Sequence, residues 1–169
     1  MFNDVVYFAH GKDSEPWGAK ITALAKIARK HKCHVESPDY SFTNDPEERV
    51  KTLLKLKPEA KRHLILVGSS MGGYVSTVAS RELRVSGLFL MAPAFYIPRY
   101  LQQNPFPKAK HVAIVHGWND EVIPCDHAVR FAQKYKTQLY LLDSDHRLTS
   151  ALPIIEKLFG LFLDQVLKL

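Results

Sequence analysis

The sequence predicts an α/β protein: a three-layer α/β/α fold around an open, mainly parallel six-stranded sheet, formed as a single domain over residues 1–169. Three observations carry this expectation. Short apolar runs alternate with segments of helical periodicity from one end of the chain to the other. The central runs are apolar without alternation, as expected of strands covered on both faces of a parallel sheet. Three unusual loops, Phe8 to Asp13, Gly68 to Gly73 and His116 to Pro124, each follow a strand pattern, and open parallel sheets bind ligands at those carboxyl ends.

Taken in order, Asp4 to Ala9 is the first strand, and Trp17, Ile21, Leu24 and Ala28 then recur at helical spacing. His34 to Ser37 is a second, short strand. Asp45-Pro46-Glu47-Glu48 supplies an N-cap, a proline in the first turn and a glutamate three residues after the cap, so a helix starts there and Pro58 stops it. The strand His63 to Val67 follows, then the loop Gly68 to Gly73 and a helix to about Arg81. Further strands are expected at Gly87 to Met91, Val112 to His116 and Gln138 to Leu142, with a helix near Asp126 to Lys134 and a terminal helix carrying Ile155, Leu158, Phe159, Phe162 and Val166. Parallel neighbours need right-handed crossovers, which makes the doubly wound sheet the economical arrangement. Ala92 to Lys110, with four prolines, is the least regular stretch and is expected to be a loop over the strand ends.

Composition removes several function classes. With 46% hydrophobic and 24% charged residues the chain is globular rather than disordered, and at this length about 70% of the unfolded surface can be buried without staples. The longest mostly apolar stretch, Val85 to Ile97, is interrupted by Ser86, Gly87 and Pro93 and is too short to span a bilayer. Neither a leader nor a lipidation motif is read at the N-terminus, so a cytoplasmic location is expected and no membrane partner. The net charge of +6 comes from lysines and arginines at helical spacing, without an RNA-binding aromatic signature, so no nucleic-acid partner is expected. Cys33 and Cys125 lie far apart without ligand spacing, which indicates neither a disulfide nor a metal, and no cofactor fingerprint is present.

The chemistry lies in the loops. Gly68-Ser69-Ser70-Met71-Gly72 satisfies G-x-S-x-G between a buried strand and a helix, the context that motif requires. The turn would hold Ser70 in a strained conformation above the sheet, with glycines at 68 and 72 because side chains there would strike neighbouring backbone. Ser69 lacks glycines two residues either side. A serine hydroxyl needs a base. His31, His34 and His63 sit toward the opposite edge, and His111, His116 and His127 are explicable by structural hydrogen bonds. His146 follows the last strand in a polar loop from which it can reach Ser70. Asp120, on the loop after the preceding strand, is the favoured acid, with Asp143 and Asp145 as sequence neighbours that could serve instead. For an oxyanion, the amide of Met71 at a helix N-terminus would be joined by that of Gly11 or Lys12 after the first strand.

The chain order Ser70, Asp120, His146, with H-G after the first strand, G-S-S-M-G-G, H-G-W-N-D-E-V-I-P and D-S-D-H-R, resembles the α/β-hydrolase superfamily over nearly the whole chain. Within it the sequence is most similar to small bacterial serine esterases whose relatives include acyl-protein thioesterases. The resemblance implies ester or thioester hydrolysis through an acyl-enzyme, with the triad roles on Ser70, Asp120 and His146. Two departures from the superfamily pattern make a minimal version of the fold the expectation: the sequence starts directly at the strand bearing H-G, without the usual N-terminal hairpin, and the stretch between Met91 and Val112 is too short for a helical lid. His10, Phe95, Tyr96, Tyr100, Trp118 and Tyr74 are then the candidate walls of a shallow substrate site that favours short acyl chains of roughly two to six carbons. The competing expectations are a depalmitoylase-like enzyme with a long acyl tunnel and a hydrolase-fold binding protein without turnover.

Overall fold

The computed structural model describes residues 1–168, and the last residue of the expected domain, 169, lies outside them. Six strands, β1 (Asp4–Ala9), β2 (His34–Glu36), β3 (His63–Ser69), β4 (Val85–Met91), β5 (Ala109–Gly117) and β6 (Gln138–Leu142), form one sheet in the order β2-β1-β3-β4-β5-β6. Every neighbouring pair is parallel. The helices are α1 (Ala19–Lys30), α2 (Pro46–Lys55), α3 (Met71–Ala79), α4 (Cys125–Tyr135) and α5 (Leu152–Leu167).

Alternate strand residues feed two apolar layers. Val6, Phe8, Ile65, Val67, Phe89, Met91, Ala113 and Val115 point to the face covered by α1 and α5. Val5, Leu64, Leu66, Leu88, Leu90 and Ile114 point to the face covered by α2, α3 and α4. Burial on both sides explains why β3 and β4 read as unbroken apolar runs. The edge strand β6 differs: none of its residues is fully buried, and its outer side pairs with no strand among the described residues.

Element boundaries depart from expectation where strand pairing or a helix end decides them. β5 begins at Ala109 rather than Val112 because its first residues extend the ladder to Val85 of β4. α3 ends at Ala79, two residues early, where Ser80 closes the helix and its hydroxyl donates to Thr77 O at 2.6 Å. Asp45 caps α2 as its motif predicts, its side chain accepting from the Glu47 amide at 2.8 Å.

The chain enters the sheet at β1 and turns outward to β2 before crossing back to β3. The order therefore reverses between β1 and β3, and the loops after these two strands open on opposite sides of the same crevice, where doubly wound sheets bind ligands. Ala9 pairs with Gly68, which carries His10-Gly11 alongside Ser69-Ser70. Among the described residues no helix is long and apolar enough to cross a membrane.

Candidate active site

Ser70 occupies the turn from β3 into α3 with φ 53° and ψ −116°, a backbone conformation that an L-residue adopts only under constraint. Its surroundings supply the constraint. The Ser70 amide donates to Met91 O at 2.9 Å, and the Ser70 carbonyl accepts from the amides of Gly73 and Ala94, both at 2.9 Å. A side chain on Gly68 would collide with the backbone of Gly72 and Gly73, and one on Gly72 with the carbonyl of Ala9. Neither glycine has a positive φ, so both are required by close approach rather than by conformation. Met71 heads α3, where its amide has no helical carbonyl to bond.

His146, Ser70 and Asp120 come from three separate strand-end loops and meet. His146 Nδ1 lies 2.7 Å from Asp120 Oδ2, and His146 Nε2 lies 3.0 Å from Ser70 Oγ. The carboxylate can only accept, so it fixes the proton on Nδ1 and leaves the Nε2 lone pair facing the serine hydroxyl. That arrangement can remove a proton from Ser70 and return it to a departing group. The other acids are engaged elsewhere. Asp143 Oδ1 accepts from Asn119 Nδ2 at 2.8 Å, and Asp145 Oδ1 accepts from the amides of Arg147 and Leu148 in its own turn.

Asp120 is held on every side. Its Oδ1 accepts the amides of Val122 and Ile123, both at 2.8 Å, and its Oδ2 is shared by His146 and by His116 Nε2 at 3.1 Å. His116 Nε2 also lies 2.8 Å from Ile123 O. Both partners are acceptors, so Nε2 carries the proton. Burial pushes the His116 imidazole below its ordinary titration range, against the pull of the Ile123 carbonyl and Asp120; its Nε2 proton goes to the Ile123 carbonyl, and the approach to Asp120 Oδ2 is a close contact beside that bond. Gly117 brings the Asp120 loop against the His146 loop, since any side chain there would strike Ser144 O. The Trp118 and Asn119 amides donate to Leu142 O and Ser144 O across the same seam.

Gly11 lies beside the elbow, with an ideal Cβ only 3.5 Å from Ser70 Cβ. Among the described residues the amides of Gly11 and Lys12 have no protein acceptor. The loop that carries them is fastened from behind. His10 Nδ1 donates to Gly11 O at 2.8 Å, His10 Nε2 accepts from the Tyr40 amide at 2.9 Å, and Arg49 donates to the loop carbonyls.

Several expected substrate contacts belong to the core instead. His10 is buried and committed to the bonds above, with burial lowering its pKa. Phe95 is fully enclosed, stacked on Phe131 at 4.2 Å. Tyr74 is fully buried and bonds Glu47 Oε1 at 2.5 Å while accepting from the Gln102 amide. These three have no surface to offer a ligand. Tyr100 packs edge-on against Tyr74, and Tyr96 packs on Arg130 and His127. Trp118 is 57% exposed beside Asp120 and remains available, as does Val122, which sequence reasoning passed over. Arg49 and His116 were also missed as neighbours of the site. Cys33 is buried, and burial raises its thiol to about 11, in keeping with an inert packing residue.

The profile of the uncharacterised protein family UPF0227 matches residues 5–104. A solved structure from Xanthomonas campestris pv. campestris, assigned to the α/β hydrolase superfamily, is 30% identical and superposes with a TM-score of 0.87 over 96% of this chain and 99% of that one. Est1E from Butyrivibrio proteoclasticus is 18% identical, with a TM-score of 0.84 over 99% of this chain and 90% of its own. The esterase Pf2001 of Pyrococcus furiosus is 19% identical, with a TM-score of 0.73 over 97% and 83%. At these last two identities the likeness is one of fold. A comparison with curated proteins finds no match.

Proposed function

Since the chain belongs to the uncharacterised protein family UPF0227 and to the α/β hydrolase superfamily, we propose that it is a serine hydrolase acting on small carboxylic esters or thioesters. The single observation that carries this reading is the position of His146, within hydrogen-bond distance of both Ser70 Oγ and Asp120 Oδ2. Ser70 is the nucleophile, His146 the general base and then acid, and Asp120 the group that orients the ring and stabilises its protonated form.

In the first half-reaction Ser70 Oγ attacks the carbonyl carbon as His146 Nε2 takes its proton. The carbonyl oxygen becomes an anion, received by the amide of Met71 and those of Gly11 and Lys12. Collapse of this intermediate breaks the bond to the leaving alkoxide or thiolate, which takes the proton from His146. Water, deprotonated by the same imidazole, then attacks the acyl-enzyme, and the acid leaves as Ser70 Oγ takes the proton back from His146. The acyl group is short, roughly two to six carbons. With Phe95 and Tyr74 withdrawn into the core, Trp118 is the main exposed apolar wall, and each methylene it shelters contributes only about 0.8 kcal/mol.

A fluorophosphonate probe with peptide mapping tests the assignment: wild type labels on Ser70, and Ser70→Ala neither labels nor turns over p-nitrophenyl butyrate. Folded wild-type protein that never labels would be a binding protein instead. A kcat/KM that keeps rising through p-nitrophenyl palmitate would replace the short-chain preference with a tunnel and a depalmitoylase-like activity.

A further inference from the structure

Arg49 is the largest fully buried side chain in the protein, at 0% exposure. Among the described residues its guanidinium forms no ion pair. A buried cation without a carboxylate is costly and survives only where other acceptors replace water. Here they are backbone carbonyls. Nη1 donates to His10 O and Gly11 O, both at 3.1 Å, Nη2 reaches Lys12 O at 3.5 Å, and Nε donates to Thr43 O at 2.9 Å. The ring of Tyr40 lies 6.0 Å from the guanidinium carbon and adds its π face.

The carbonyls so gripped have a geometric consequence. A trans peptide is planar, and its C=O and N–H point in opposite directions. The His10 carbonyl shares a plane with the Gly11 amide, and the Gly11 carbonyl with the Lys12 amide. Fixing the two carbonyls toward Arg49 therefore fixes the two amides away from it, and these are amides without a protein acceptor. Gly11 lies at the same time beside Ser70, whose Cβ a side chain at position 11 would meet at 3.5 Å.

We propose that Arg49 is the positioning residue of the oxyanion site, aligning the Gly11 and Lys12 amides through their peptide planes and adding a buried positive charge behind them. This rests on the serine hydrolase reading above. The bidentate geometry matters as much as the charge: one guanidinium nitrogen serves two successive carbonyls while a second reaches a third, whereas a lysine ammonium at the end of a flexible stem would hold them less firmly. A donor network that is already aligned costs no reorganisation as the oxyanion forms, so the benefit falls on the transition state rather than on substrate binding.

The test compares wild type, Arg49→Met, Arg49→Lys and Ser70→Ala on p-nitrophenyl butyrate, together with binding of a trifluoromethyl ketone whose hemiketal oxyanion occupies the same site. Arg49→Met is expected to lower kcat by about a hundredfold with KM nearly unchanged, the size of loss seen when an oxyanion donor is removed. Its affinity for the ketone is expected to fall by a comparable factor. Arg49→Lys should keep the fold and recover only part of the loss; where Arg49→Met does not fold, this variant decides, and wild-type kcat in it overturns the proposal. Arg49→Met with lowered melting temperature but unchanged kcat and ketone affinity also overturns it, leaving a purely structural arginine. In both cases active wild type and inert Ser70→Ala keep the hydrolase reading intact. Wild type that neither labels with fluorophosphonate nor turns over overturns both.

Discussion

His116 Nε2 lies 3.1 Å from Asp120 Oδ2, with both side chains fully removed from solvent. Asp120 thus carries a second histidine behind the one that faces Ser70, and its two oxygens accept three hydrogen bonds, from His146 and from the amides of Val122 and Ile123. A carboxylate satisfied so completely cannot swing. His116→Leu removes the donor to Ile123 O and the ring that abuts the carboxylate while filling much of the volume, and a buried acceptor left unsatisfied costs about 1–3 kcal/mol. The variant is expected to melt earlier and to lose activity by a smaller factor than Asp120→Asn, as steady-state kinetics would show.

Asp120→Asn is expected to lower kcat by about 10²- to 10⁴-fold, because the amide can hold His146 in the wrong tautomer, while His146→Ala and Ser70→Ala lower it by about 10⁴- to 10⁶-fold. Asp143→Asn and Asp145→Asn should stay close to wild type, since those side chains serve Asn119 and the local turn. Loss of activity in either one alone would move the acid role to it.

The backbone at Ser70 stores strain of order 1–3 kcal/mol, and glycine relieves it. Ser70→Gly is therefore expected to be more stable than Ser70→Ala by about 1 kcal/mol, readable in urea unfolding midpoints. Equal midpoints would mean that the turn is not strained. Gly72→Ala goes the other way, because its methyl meets the Ala9 carbonyl; overpacking of this kind costs about 1–3 kcal/mol or more.

Acid should destabilise the fold through His10 and His116. Burial is the leading cause that lowers both from the ordinary value of 6.5. His10 faces Asp39 and Arg49, and His116 faces Asp120, His146 and His127. The unfolded chain binds protons first, so stability from these groups is fully present above about 6.5 and is lost as pH falls below it toward their folded values. Melting temperature measured from pH 7 downward should decline less steeply in His10→Asn and in His116→Asn than in wild type. Identical slopes would assign the acid sensitivity to carboxylates.

Phe95 distinguishes a core role from a pocket role. Phe95→Ala is expected to cost about 3–5 kcal/mol, because its ring is stacked on Phe131, while the preferred acyl length stays unchanged among molecules that remain folded. An acyl preference that shifts with this substitution would place the ring back in the substrate site.

What the sequence made legible were features tied to local pattern. Gly68, Ser70 and Gly72 stand at fixed spacing between an apolar run and a helix, and His146 and Asp120 each follow an apolar run, so the rule that strand ends carry function reaches all of them. Arg49 escaped because its position in α2 reads as an ordinary charge on an amphipathic helix. Nothing local reveals that its partners are carbonyls some 37 to 39 residues earlier. His116 escaped because its contact with Asp120 depends on the fold of the intervening turn. Phe95 and Tyr74 misled for the opposite reason: aromatics in and around an irregular segment are as suited to sealing the side of a sheet as to lining a cleft, and burial at 0% exposure decided for the first.

The loop that bears His146 hangs from β6, the half-exposed strand at the open margin of the sheet. Ser70 instead springs from β3, buried almost throughout its length. Local opening begins where few apolar contacts must be broken, so the two halves of the proton path have unequal lifetimes. On heating, the imidazole should drift from the serine while the interior is still closed, and hydrolysis should fade some degrees before the cooperative melt. Deuterium uptake would then run faster across 138–146 than across 63–69, and cooling from that interval would restore activity without any refolding of the core.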